Sequence, residues 1–270
     1  MKSGSLIAAF AGMLCWGAAG TAQAVVLYDQ NVTPNIIFGS GNANGHFTVN
    51  QEGPLELGLR AKLRFDESNQ PQNTFNSNGD GTYSFAAGAA PSGFSFDPGS
   101  PTTPVWSFEW SVNSSADGTG STLAADYFYI LTIDFDPGPG THNLEIALLS
   151  TTPAVPDHAF GTNGTAEGDG TTAGGDAGTF SALVAANNVM QNSWNMEFFN
   201  EGIYDYFDPS VPGIYTISLA AYDNSENLVA DVSIDVIVTA VPEPATLGLM
   251  LLGLGGLGVV AWRRKPAPLA

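Results

Sequence analysis

Cysteine is almost missing. The single one, Cys15, lies within the first 24 residues, so residues 25–240 can form no disulfide, zinc–thiolate site or thiol nucleophile. Positive charge is nearly as scarce. Between residues 25 and 240 only Arg60, Lys62 and Arg64 are basic, against twenty-five acidic residues, a net charge of −22. A field of that sign repels nucleic acid and anionic lipid, so DNA and RNA binding are excluded. Histidine occurs three times, as His46, His142 and His158, far apart and never in a His-Glu-x-x-His arrangement. Together with the lack of a Gly-x-Ser-x-Gly elbow, this removes the common zinc-protease and serine-hydrolase signatures. Asp157-His158 reads as loop polarity, because neighbours on an extended chain point to opposite sides.

The two ends are apolar and basic instead. Lys2, an apolar stretch from Leu6 to Ala19 and the small-x-small site Ala22-Gln23-Ala24 have the layout of a secretory signal, cut before Val25. Leu14 before Cys15 is too large for a lipoprotein signal. At the far end Pro242-Glu243-Pro244 precedes an apolar run, residues 245–262, and then Arg263, Arg264 and Lys265. Eighteen helical residues would span roughly 27 Å, close to the hydrocarbon thickness of a bilayer. The basic cluster would stay cytoplasmic by the positive-inside rule, with the preceding domain on the opposite side.

Pro-Glu-Pro, an apolar glycine-containing helix and a terminal basic cluster, in that order, resemble the PEP-CTERM sorting signal. The resemblance covers about 25 residues of the 270. It implies recognition by an exosortase-type enzyme and processing near Pro242, Glu243 and Pro244. It further implies an exported precursor, held transiently at the inner membrane, whose mature form is at the cell surface or outside the cell. Export also implies signal peptidase as a partner, acting at Ala22 and Ala24.

What lies between reads as all-β. Alternation of period two runs through Pro54–Asp66, Val105–Asn113, Asp126–Asp136 and the pair Gly213–Tyr222 and Leu228–Val238, which flank the turn Asp223-Asn224-Ser225-Glu226-Asn227. The expected fold is an immunoglobulin-like or related antiparallel β-sandwich over residues 25–240. Signal residues 1–24 precede it as a helix, and a sorting tail, 241–270, follows with its transmembrane helix. One sandwich, or two subdomains parted near residues 114–122, both satisfy the pattern. Pro212-Gly213-Ile214-Tyr215 resembles the tyrosine corner of immunoglobulin-like sandwiches, in which the hydroxyl bonds to nearby backbone. Thr179–Met190 is the one helical candidate inside the domain. In the first strand Arg60, Lys62 and Arg64 share a face with Glu56 and Asp66, and are expected to be solvated.

Chemistry-bearing residues are few. Asp134 and Asp136, in Asp-Phe-Asp-Pro-Gly-Pro-Gly, form a candidate calcium loop with Glu145 further on. Pro139 where an EF-hand needs glycine, and strand-like flanks, reject a helix-loop-helix hand. No other cofactor is expected. Trp106, Trp110, Tyr127, Tyr129 and Trp194 form either a sandwich core or a flat platform for sugar rings, and core is the preferred reading. The expected function is non-enzymatic, a structural or adhesive component of an exopolysaccharide or biofilm layer. The alternatives are a carbohydrate-binding module, which needs exposed coplanar aromatics, and a carboxylate-dependent glycoside hydrolase, which needs two acids in a cleft.

Overall fold

A computed structural model describes residues 25–64, 72–90, 103–199 and 207–241. The alternating segments become strands, and the strands form two sheets. The first sheet contains β1 (Val26–Gln30), β2 (Phe47–Glu52), β3 (Leu55–Leu63), β5 (Trp106–Asn113), β9 (Val189–Trp194) and β8 (Ala159–Gly161), paired in that order. The second contains β4 (Thr82–Ala86), β11 (Leu228–Thr239), β10 (Gly213–Tyr222), β6 (Phe128–Asp134) and β7 (Asn143–Ala147), also in that order. Every pair in the first sheet is antiparallel. In the second, β4 runs parallel to β11, a departure from the purely antiparallel expectation.

The sheets face one another across one continuous apolar core. Leu55, Leu57, Leu59 and Ala61 of β3 and Trp106, Phe108, Trp110 and Val112 of β5 meet Tyr129, Leu131 and Ile133 of β6. Tyr215, Ile217 and Leu219 of β10 and Val232, Ile234 and Val236 of β11 complete the opposing wall. These are the odd or even members of each alternating run, so period two dictates which face is buried. The Tyr215 hydroxyl donates to the Val211 carbonyl at 3.2 Å, the bond the tyrosine-corner motif anticipates.

The first sheet is covered on its other face too. The segment between β1 and β2 folds back across β3 and β5, burying Val32 and Ile36 with Phe47 and Val49. Ile37 packs separately on Ala159 and Val189. This strap explains a glycine in mid-strand, where glycine ordinarily weakens pairing. A Cβ on Gly58 would lie 2.6 Å from Val32 Cγ1 and 3.2 Å from Phe47 Cδ1. The bare backbone is what lets the strap sit down.

One helix breaks the pattern. Asp176 caps α1 (Ala177–Ala186), its carboxylate accepting from the Thr179 N–H at 2.6 Å. The expectation of helix as far as Met190 is corrected: Asn187 ends the helix, and Val189 and Met190 belong to β9, where both are fully buried.

Candidate functional site

The two basic residues of β3, Arg60 and Lys62, and Arg64 directly after it are withdrawn from solvent rather than displayed. Arg60 and Lys62 are buried beneath the strap, Arg64 is half-buried, and the solvated-face expectation is overturned. Arg60 and Lys62 converge on Glu109 of β5, which the register places directly opposite Arg60. Arg60 Nε donates to Glu109 Oε2 at 2.6 Å, and Lys62 Nζ lies 2.6 Å from Oε1. Arg60 Nη1 donates to the Ala43 and Gly45 carbonyls of the strap, at 2.9 and 2.6 Å, and Nη2 faces Glu109 Oε2. Its two faces are closed by Phe47 and Phe75, whose ring centroids lie 4.2 and 4.3 Å from Cζ. Lys62 also donates to Asn42 Oδ1 at 2.7 Å.

Burial alone would raise the Glu109 carboxyl, but the two cations and their hydrogen bonds outweigh it and hold it below the ordinary range. Burial pulls the Lys62 ammonium down, and Glu109 only partly offsets that. The arrangement is a buried ionic clasp joining strap to sheet, with nothing exposed to take a substrate.

Farther along the same face the clasp gives way to a neutral polar layer. Gln191 accepts from the Ile37 N–H and donates to the Asn35 carbonyl, both at 2.8 Å. Asn188 donates to Asn113 and Asn163 at 2.7 and 2.9 Å. Glu56 accepts from the Thr33 N–H at 2.7 Å and from its hydroxyl at 3.2 Å, although burial still raises its carboxyl above the ordinary value. The Gln191 and Glu56 bonds satisfy groups that the strap has taken out of water.

The aromatic residues divide differently from a platform. Trp106, Trp110 and Tyr129 are fully buried, Trp194 is 9% exposed and Tyr127 is half-buried. No flat sugar-stacking face is formed by this set. Asp134 and Asp136 sit at the end of β6, where backbone amides already occupy them. Asp134 Oδ1 accepts from the Asp136 and His142 N–H groups at 3.0 and 2.7 Å, and Asp136 Oδ1 accepts from Gly138 at 2.8 Å. Glu145 pairs with Thr132, two positions down the strand from Asp134. Among the described residues no three His, Cys, Asp or Glu side chains are grouped to hold a metal ion.

A cleft of about 550 Å³ lies between β7, the outer strand of one sheet, and the end of β9 in the other. Residues 144–148, Phe198 and Phe199 border it, together with Ser150, Thr152, Pro153, Ala154 and Pro156 from the segment after β7, and Trp194 and His158 floor it. Its polar groups are few, and Glu145 is its one carboxylate.

His158 was not legible as a core residue, yet it is completely buried. Its ring stands edge-on to Trp110 at 4.8 Å and near Trp194, Phe160 and Phe180. Nε2 lies 2.9 Å from the Leu148 carbonyl, which can only accept, so Nε2 carries the proton. Nδ1 then accepts from the Asn192 amide at 3.3 Å, and Asn192 also donates to Asp157 at 2.8 Å. Burial lowers the imidazole to about 4, leaving it neutral. Expecting loop polarity for Asp157-His158 was therefore wrong for the histidine, which ties the β7–β8 connection to β9.

These features define a β-sandwich with no cysteine among the described residues and an unadorned cleft. Residues 240–265 match the PEP-CTERM protein-sorting motif, which supports an exported protein carrying that sorting signal. Neither the curated proteins nor the solved structures give a match to the chain. Ala22, Ala24, Pro242, Glu243, Pro244, Arg263, Arg264 and Lys265 lie outside the described residues, as does the expected span 245–262. Among the described residues no helix is long and apolar enough to cross a membrane.

Proposed function

We propose that this protein is a non-enzymatic surface or matrix component, an immunoglobulin-like or related sandwich delivered outside the cell and processed at its Pro-Glu-Pro tail. The observation that carries the reading is the sorting motif at residues 240–265, which joins the domain to an exosortase-type partner and to transient tethering at the inner membrane. The fold is compatible with that role. The core is made without disulfides, and the Tyr215–Val211 bond supports a relation to immunoglobulin-like sandwiches. A carboxylate hydrolase finds less support, because the cleft brings one acid rather than two among the described residues.

Intact mass spectrometry of the protein from cells with and without the sorting enzyme, combined with fractionation of the extracellular polymer, tests this. The expected result is loss of residues 1–24 in both strains, and loss of the tail beyond Pro242 only when the enzyme is present. The trimmed form should travel with the polymer. An identical C-terminus in both strains, or a trimmed form absent from the polymer fraction, would refute the corresponding half of the proposal.

A further inference from the structure

Lys62 stands between two groups of different chemistry. On one side Nζ lies 2.6 Å from Glu109 Oε1, and on the other it donates to Asn42 Oδ1 at 2.7 Å. The Lys62 and Glu109 side chains are 5% and 0% exposed, so they meet out of water, with the half-buried Asn42 as third member. The amide is held from several directions. Asn42 Nδ2 donates to the Phe38 carbonyl at 3.0 Å, which fixes the plane of the side chain. Asn73 clamps the backbone on both flanks, accepting from the Ala43 N–H at 3.3 Å and donating to the Gly41 carbonyl at 2.7 Å. The Ala43 carbonyl in turn takes its bond from Arg60.

Charge at this point is out of balance. The charged groups acting on Lys62 are Glu109, Arg60 and Arg64, one carboxylate against two further cations, and burial lowers the ammonium below its ordinary value. A guanidinium does not give up its proton, so Lys62 is the group that can relieve the surplus. A lysine desolvated in this way is the kind that acts as a nucleophile. Glu109 lies within the 2.6–3.2 Å or so that a proton-transferring group requires, and the clamped amide supplies the fixed orientation.

We propose that Lys62 and Asn42 become joined by an isopeptide bond inside the folded domain, with Glu109 carrying the protons. Lys62 Nζ passes a proton to Glu109 Oε1 and, as a neutral amine, attacks Asn42 Cγ. The Nζ–Cγ bond forms and the Cγ–Nδ2 bond breaks. Nζ sheds two protons in all; Nδ2 takes both by way of Glu109 and departs as ammonium, past the exposed Gly41 and Ala43. Nothing is oxidised or reduced, and Glu109 returns to a carboxylate. The product leaves Arg60 and Glu109 as a buried pair of equal and opposite charge, with the surplus gone. It also staples the strap to β3 covalently, in a domain with no cysteine among its described residues to form a disulfide. The chemistry is internal to the domain and holds whatever its destination.

Intact mass and tryptic digestion of the denatured wild-type protein test this without relying on any variant to fold. The mass should fall short of the sequence by one molecule of ammonia. An amidated Lys62 resists trypsin, so the fragment ending at Arg60 should carry Ala61–Arg64 on Asn42 as a branched peptide. Succinimide formation at Asn44-Gly45, Asn78-Gly79 or Asn163-Gly164 also sheds ammonia, but leaves Lys62 open to cleavage. Lys62→Gln and Asn42→Ala should restore the full mass, as should Glu109→Gln in material shown to be folded by near-ultraviolet circular dichroism. A wild type of full mass that is cut after Lys62, or an ammonia loss that persists in Lys62→Gln, would overturn the bond. A folded Glu109→Gln chain that still yields the branched peptide would overturn the part given to Glu109.

Discussion

At the scale of single residues, Glu109 and His158 hold the most consequential positions. Glu109 is the carboxylate against which two buried cations are balanced, and removing one partner of such a set leaves the others uncompensated. Glu109→Gln keeps the shape and some hydrogen bonding but not the charge. It should lower the unfolding free energy in urea by about 3–5 kcal/mol. A loss below about 1 kcal/mol, the range of exposed pairs, would mean the clasp is solvated. His158 acts through protons. Its imidazole is lowered from 6.5 to about 4 when folded, so as pH falls the unfolded chain takes up the proton first. Its contribution is complete above the unfolded value and is lost as pH falls toward about 4. The loss amounts to roughly 3 kcal/mol. His158→Gln, whose amide can still donate to the Leu148 carbonyl, should remove this limb of the pH–stability curve. Parallel curves for wild type and variant would sink the assignment.

Among the elements, the most readable were those whose faces differ. Gly213–Tyr222 was anticipated to the residue, and Leu228–Thr239 within one residue of its end, because apolar and small polar side chains alternate cleanly across the core-facing and outer sides. β5 and β6 were found for the same reason, with boundaries drawn in by one or two residues. β3 was found as a strand but misread as to its surroundings. Its outer face carries Glu56, Gly58, Arg60 and Lys62, which alternation marks as wet; only the strap, from residues 31–46, makes it dry. Nothing local in the sequence announces a cover that comes from elsewhere in the chain. β9 was not read as a strand: Val189 and Met190 were given to the helix, and its Gln191 and Asn192 are polar residues buried through bonds to the strap and to the β7–β8 connection. The cleft was illegible because it belongs to an edge, and period two marks faces. β1, β2, β4 and β8 are short or lean on partners distant in sequence, and no alternating run marked them out.

For the molecule as a whole, charge and connectivity matter most. Among the described residues Arg60 and Lys62 are sealed and Arg64 half-sealed, so the surface is more uniformly anionic than the count of basic residues suggests. The last strand also has a mechanical meaning. β11 is twelve residues long and lies inside its sheet, hydrogen-bonded to β10 on one side and β4 on the other, and the sorting motif begins at residue 240, directly after Thr239. A pull on the tail loads those bonds in shear, many at once, whereas a pull on β1 at the edge opens its few pairs one after another. Stretched between Val25 and Ala240 in an optical trap, the domain should give a small early rip from β1 and then a single large rupture from β11. One low-force unzipping would contradict this. Tethered through its sorting tail as proposed, the protein would hang by the strand best placed to carry a load.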